Sequence, residues 1–412
     1  MVDRRFYSYF AESIQTVVKR FIGMRKIWSA GLFLLCLTQT VLAQTGNTDP
    51  VNTIMTAVPF LRIAPDARAG AMGDIGVASE ADANSIHWNA AKYSFAEKSS
   101  GLSFSYTPWL QQLVSDIYIV NTAGYKQLSD KQTLGASLTL FNLGSIQFTD
   151  IQGLDAGSFN PRELNVDVAI ANKLSDNFSM SLALRYIYSN LASGQQSAGN
   201  LIRPGHAFGA DIGAFYNKEL EVSGYDSKLA FGMNISNIGT KISYTRNTDR
   251  DFIPMNLGLG GSFTLNVDQY NKISFVADLN KLLVPTPQEG DLNNDGILDY
   301  KQVSVPEGLF GSFADAPRGF AEEMEEIIWS VGAEYWYADQ FAVRAGYFHE
   351  AATKGNRKFL SAGVGLRFNV VGIDAAYLVP TNSQQSPLEQ TYRFTLTFDF
   401  DSAASGTATE EK

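Results

Sequence analysis

Three histidines, His87, His206 and His349, are the only imidazoles available to an active site, and one of them, His349, stands beside a carboxylate, Glu350. An acid and base pair could in principle work there, at a strand end beside an outer loop. The chain supplies it with no nucleophile or metal, since it has no Gly-x-Ser-x-Gly elbow and no His-Glu-x-x-His zinc helix. A solvated loop pair is the preferred reading, no catalytic residue is expected, and the chain reads as non-enzymatic. Further along, Asp291, Asn293, Asp295 and Asp299 surround Gly296 at the spacing of a calcium-binding loop, the glycine permitting the sharp turn. Gln302 stands where such loops carry a bidentate Glu. Two readings remain open, a calcium site or a polar loop held by side-chain-to-backbone turns. No other cofactor is expected.

A larger group of ionisable residues shares a face: Asp167, Arg185, Asp211, Asp278, Glu334, Arg344, Arg367, Asp374 and Arg393. Each occupies a polar position in a segment of period two, which is how a strand sorts its side chains. The last segment is the clearest. Tyr392, Phe394, Leu396, Phe398 and Phe400 alternate with Arg393, Thr395, Thr397 and Asp399, as in a strand with hydrocarbon on one side and a polar lumen on the other. A terminal aromatic such as Phe400 is also typical of outer-membrane barrels.

Segments of this kind recur near 101–109, 115–126, 131–141, 162–174, 177–188, 206–217, 228–238, 254–266, 271–280, 327–337, 339–348, 357–368, 371–379 and 391–400. The fold class is therefore all-β, a transmembrane antiparallel barrel of fourteen strands over 101–400, with long extracellular loops. An even count puts both ends on the periplasmic side. Connection lengths agree. Short turns follow the even strands, that after strand six being placed at 217–227, and longer loops at 142–161, 189–205, 239–253 and 281–326 follow odd ones. Within the lumen the nine charged residues read either as mutually satisfied ion pairs or as the lining of a water-filled pore. Pairing is preferred, because both signs are mixed and an unpaired buried charge is costly.

Before the barrel, Arg4, Arg5, Lys19, Arg20, Arg25 and Lys26 precede an apolar run from Ile27 to Leu37, and Val41-Leu42-Ala43 offers a cleavage site. Residues 1–43 are expected to be a secretory signal peptide, with Met24 an alternative start. A membrane anchor is disfavoured because the run is shorter than the ~20 apolar residues that span a bilayer. The single cysteine, Cys36, falls within this leader and leaves the mature chain without thiol chemistry. A net charge of −10 and a pI near 4.9 speak against nucleic acid as a partner; outer-membrane lipid is the expected surround.

Residues 44–100 form a plug-like or periplasmic segment, and 401–412 a polar tail. The segment carries Pro65-Asp66-Ala67-Arg68, Ala71-Met72-Gly73 and, later, Trp88-Asn89-Ala90-Ala91. These runs resemble the N-terminal signature of the PorV/PorQ family, whose barrels are distantly similar to FadL hydrophobe transporters; Ala90 replaces the family's proline. Asp291-Leu292-Asn293-Asn294-Asp295-Gly296, Phe313-Ala314-Asp315-Ala316-Pro317, Glu334-Tyr335-Trp336-Tyr337 and Arg344-Ala345-Gly346-Tyr347-Phe348 extend the resemblance. It implies a type IX secretion role at the cell outer membrane of Bacteroidota. That role would be to bind the C-terminal signal domain of secreted cargo, deliver it to the PorU sortase for attachment to lipopolysaccharide, and dock beside the SprA translocon. The alternative is FadL-like transport of hydrophobic small molecules, which predicts an apolar pocket and a lateral opening. Arg62 and Arg68 are as suited to pairing with lumen carboxylates as to contacting a substrate.

One more element follows from spacing. Phe320, Met324, Ile327 and Ile328 recur at helical intervals opposite Glu322, Glu323, Glu325 and Glu326, predicting a short amphipathic helix on the extracellular rim. It is expected either to fold over the barrel mouth or to present Phe320, Met324 and Ile327 to a partner.

Overall fold

The computed structural model describes residues 50–110, 114–149, 152–197, 200–245, 250–292, 294, 296–381 and 391–401. The expected leader, the tail beyond Asp401, Asn293 and Asp295 lie outside the described residues.

Fourteen antiparallel strands close into one barrel. They are β1 (Ser100–Pro108), β2 (Ile117–Ser129), β3 (Gln132–Leu143), β4 (Arg162–Lys173), β5 (Phe178–Asn190), β6 (Gly205–Val222), β7 (Tyr225–Gly239), β8 (Asn256–Asn266), β9 (Asn271–Leu282), β10 (Ile328–Tyr337), β11 (Phe341–His349), β12 (Lys358–Phe368), β13 (Val371–Pro380) and β14 (Thr391–Phe400). Closure is made by β1 on β14, with Ser100 opposite Phe400 and Tyr106 opposite Phe394. Outward positions carry apolar side chains such as Phe104, Leu182, Leu184, Phe275 and Phe394, all exposed. A belt of that size has its natural surround in hydrocarbon, and the wall leaves no strand edge for lipid to desolvate. No helix among the described residues is long and apolar enough to cross a membrane.

Short turns gather at one rim, here called inner, and long loops at the other. The turn after β6 differs from expectation. β6 and β7 stay paired to Val222 and Tyr225, and the turn itself is Ser223-Gly224, both with positive φ. Charged Lys218, Glu219 and Glu221 had hidden this extension, because they end the apolar alternation without breaking the hydrogen-bond ladder. At the other end of the same pair the register slips between Ala210 and Ile212, and Asn237 bulges out of the ladder with φ 60°. Outer loops also contain two small hairpins, Ile146–Thr149 with Asp155–Phe159 and Gln196–Ser197 with Asn200–Leu201.

The N-terminal segment runs down the lumen from the outer mouth to the inner rim. At the top, the Asn52 N–H donates to the Thr353 carbonyl (2.9 Å) and that of Ala57 to Phe252 (2.9 Å), both in outer loops. At the bottom, the Ser99 hydroxyl donates to the Phe400 carbonyl (3.0 Å) and Lys98 pairs with Asp401 (3.0 Å). Between them lie a 3-10 turn (Pro59–Arg62), α1 (Ala67–Ala71), α2 (Ser85–Trp88) and a second 3-10 turn (Ala90–Phe95). Over its described residues the segment thus packs inside the barrel, against outer loops at one end and the inner rim at the other.

Candidate functional site: a plugged lumen under an ion-paired lid

All nine charged residues expected in the lumen point inward, and they sort into distinct groups. In the first, Arg344 donates to Glu334 (2.5 Å) and Asp374 (2.7 Å), and Arg367 reaches the second oxygen of Asp374 (2.8 Å). Across the lumen, Arg185 bonds Asp167 (2.5 Å) and Asp211 (3.2 Å) and also donates to the Asn237 side chain; Ser137 and Asn165 add donors to Asp167. Asp211 accepts the backbone N–H of Asn237 (2.7 Å), so this group fixes the wall bulge. Asp278 and Arg393 bind the plug instead. Asp278 accepts the N–H groups of Gly76 (2.8 Å) and Val77 (3.0 Å), while Arg393 pairs with Asp74 (2.6 Å).

The plug's signature residues explain their own spacing. Asp66 caps α1 by accepting the Ala69 N–H (2.8 Å) and takes the Trp88 indole N–H on its other oxygen (3.0 Å). Arg68 crosses to the wall, forking onto Glu334 (2.8 and 3.0 Å) and reaching Asp82 (3.1 Å). It thereby joins the Arg344 group, which settles one of the alternatives left open for the plug arginines. Gly73 turns the chain with φ 85°, and the wall meets it with another glycine: a Cβ on Gly346 would lie 2.0 Å from the Met72 carbonyl carbon. Backbone therefore rests directly on backbone there. Lower down, Tyr93 stacks on Tyr125 (4.9 Å between centroids), and Ala83, Ile86 and Ala90 pack on Ala169, Ala171 and Ala183, small wall residues that leave room for the plug. The Lys92 ammonium donates to the Gly76 carbonyl (2.6 Å), and burial lowers its pKa to about 8.

Over the outer mouth lies the longest loop, with α3 (Asp299–Gln302), α4 (Val305–Gly311) and α5 (Phe320–Glu325). Ser304 and Glu307 form a reciprocal capping box at the start of α4. α5 is shorter than its periodic pattern and is turned so that its glutamates face the protein. Lys281 donates to Glu323 (2.8 Å) and Glu326 (2.6 Å), Lys354 to Glu322 (2.6 Å) and Glu326 (2.9 Å), and Asn52 of the plug to Glu322 (3.0 Å). Burial opposes ionisation of Glu322, yet its hydrogen bonds from Lys354, the Arg318 N–H and Asn52 bring its pKa down to about 2. Phe320 and Met324 consequently face outward, 78% and 50% exposed, near in sequence to exposed Phe310 and Phe313; Ile327, past the end of α5, is half-buried.

The acidic loop ahead of α3 uses its oxygens locally. Asp291 accepts the Gly296 N–H (2.9 Å) and Asp299 the Leu292 N–H (3.1 Å), which are the side-chain-to-backbone turns considered above. Among the described residues no group of three or more His, Cys, Asp or Glu is placed to hold a metal ion. His349 and Glu350 fall on opposite sides of the wall. His349 stacks on outward Trp329 (4.8 Å), whereas Glu350 takes a two-pronged bond from Arg357 (2.8 and 2.9 Å) inside.

A family model described as "Type IX secretion system protein PorV" matches residues 46–289, more than half of the chain. The chain belongs to the PorV family. No curated protein matches it in sequence. Solved structures similar to this PorV-family chain include a mutant of the TodX monoaromatic hydrocarbon channel (11% identity, TM-score 0.49, 82% of this chain and 98% of that one). The Pseudomonas putida toluene transporter TodX (12%, 0.46, 82% and 99%) and a FadL homologue from Pseudomonas aeruginosa (11%, 0.41, 85% and 99%) are others.

Several site residues of this PorV-family barrel were missed from sequence. Lys281 and Lys354, which orient the lid, sit at a strand end and within a loop, where alternation carries no signal. Lys92 and Asp74 lie within the plug, whose irregular backbone has no period to read. Arg357 was likewise silent, although its partner Glu350 had been singled out for a different chemistry.

Proposed function

We propose that the chain handles exported protein in type IX secretion at the outer membrane, binding the C-terminal signal domain of cargo at its extracellular face and presenting it to the PorU sortase beside the SprA translocon. One observation carries this reading: the lid turns Phe310, Phe313, Phe320 and Met324 to the outside while its carboxylates are locked into the mouth of a plugged lumen. Aromatic and methionine side chains displayed this way are the composition of protein interfaces. A lumen filled by plug and ion pairs has little to offer diffusing solutes, which speaks against a porin. The transporter alternative wants an apolar pocket, whereas the interior cavity has a mixed lining, with Arg62, Arg357, Asp74, His87 and four asparagines set among Leu61, Val77, Trp88, Ile328 and Phe348.

The test is affinity purification of the tagged barrel from mild-detergent outer membranes, with and without residues 305–325. Recovery of a sortase, a giant barrel or cargo bearing an uncleaved signal domain, lost on deletion while the barrel stays folded, is the expected outcome. A partnerless barrel carrying bound hydrocarbon or fatty acid would replace this reading with the transporter one.

A further inference from the structure

Five lumen arginines, Arg68, Arg185, Arg344, Arg367 and Arg393, each find a carboxylate oxygen within 3.2 Å. Arg62 does not. Among the described residues its nearest carboxylate oxygen is that of Glu350 at 3.9 Å, and no hydrogen bond reaches its guanidinium. Both Glu350 oxygens are already taken by Arg357, whose guanidinium is also held over the Phe348 ring (5.3 Å). Two arginines therefore share one carboxylate, and the region keeps one positive charge in excess. The other carboxylate on the cavity wall, Asp74, is committed to Arg393.

That excess faces a cavity of about 90 Å³ between plug and barrel wall. A site needs roughly 10–15 Å³ of such space per water-sized occupant, so several heavy atoms fit. Its wall supplies neutral donors. Asn280 gives its carbonyl to Asn256 (2.9 Å), leaving its amide N–H groups for another acceptor. His87, kept neutral by burial with a pKa of about 3, adds an imidazole that brings no charge.

We propose that this cavity is a binding site for a small oxyanion, a carboxylate or phosphate group, held by Arg62 with Arg357 behind it and Asn280 and His87 at its sides. A monoanion there removes the imbalance that the protein's own carboxylates leave, in surroundings where an unpaired charge is strongly disfavoured. The inference does not depend on the secretion reading, since it concerns the interior and not the lid surface.

Thermal unfolding of the purified full chain in detergent, titrated with acetate, inorganic phosphate or chloride at constant ionic strength, tests it. A saturable rise in Tm with acetate or phosphate and not chloride is expected, weakened at least tenfold in Arg62→Gln and partly kept in Arg62→Lys. Both variants are checked for folding by heat-modifiable gel mobility, and Arg62→Lys keeps the test decisive should Arg62→Gln not fold. Native mass spectrometry of freshly purified protein separates the sources: a bound amphiphile adduct points to a lipid or fatty-acid head group, a small-ion adduct to a free anion. Equal responses to chloride, no saturation, or an unchanged response in Arg62→Gln would overturn the proposal.

Discussion

The inner and outer halves of the lumen are closed by different means. Inside, plug backbone lies on wall glycine and alanine, and the charged groups link plug to wall, as Glu334 does by bonding both Arg68 and Arg344. Outside, closure depends on long side chains reaching between loops. Lys281, Lys354 and Asn52 tie three glutamates of the lid to a strand end, a second loop and the plug. Backbone contact permits almost no adjustment, whereas side-chain bridges can be broken one at a time. The contrast teaches that the inner half is part of the barrel's folding unit and the outer half a cover able to open over it.

Removing one shared carboxylate from the inner half is the strongest way to break this contrast. Glu334→Ala takes a shared carboxylate from two buried arginines, leaving Arg344 to Asp374 and Arg68 to Asp82, and is expected to cost about 3–5 kcal/mol, the range for splitting a buried pair. The readout is urea unfolding of barrel folded into lipid vesicles, with plug and wall lost together. A loss no larger than that of Glu322→Ala in the lid would refute the distinction. A smaller effect, about 1–3 kcal/mol as for overpacking, is expected of Gly346→Ala, where the new methyl meets the Met72 carbonyl. Its mark is protease cleavage within 51–99 while the gel mobility of the folded barrel persists; a protected plug would count against backbone-on-backbone seating.

The same division explains what could be read from the amino-acid order. Strand number, the direction of every side chain on β14, and the inward set from Asp167 to Arg393 follow from period two, which lipid outside and polar groups inside enforce at each step. The plug has no period. Its signature residues stood out only by resemblance, and their reasons, Asp66 as a cap and Gly73 as a positive-φ turn, appear once the backbone is in place. The orientation of the lid stayed open in the sequence. Spacing in 320–328 set carboxylates against apolar residues, but which face turns inward depends on Lys281 and Lys354, distant in sequence and local in space. Arg62 and Arg68 looked alike in the chain; only geometry shows that one has a full complement of partners.

Acid sharpens the comparison by acting on the cover first. Glu322 has a folded pKa of about 2, below the ordinary 4.5, so its contribution is fully present above about pH 4.5 and is lost as pH falls toward 2. Hydrogen exchange within 286–326 should therefore accelerate across that window before exchange in the barrel strands does. Glu322→Gln should show faster lid exchange already at neutral pH, with a flatter acid response. Lid and strands opening together as pH falls would mean that the two halves are one unit after all.

The smallest effect on stability belongs to the residues proposed to matter most for partners. Phe320 and Met324 lie outside both halves of the closure, so changing both to serine should alter stability by no more than about 0.5 kcal/mol, as for surface positions without buried contacts. Lid exchange should also be unchanged, because the glutamates on the opposite face of α5 keep their lysines. The double variant thus separates the lid as a cover from the lid as a display. Recovery of cargo and sortase should fall although barrel, plug and lid all stay closed. Undiminished recovery would leave the ion-paired face, and not the aromatic one, as the part of the lid that matters.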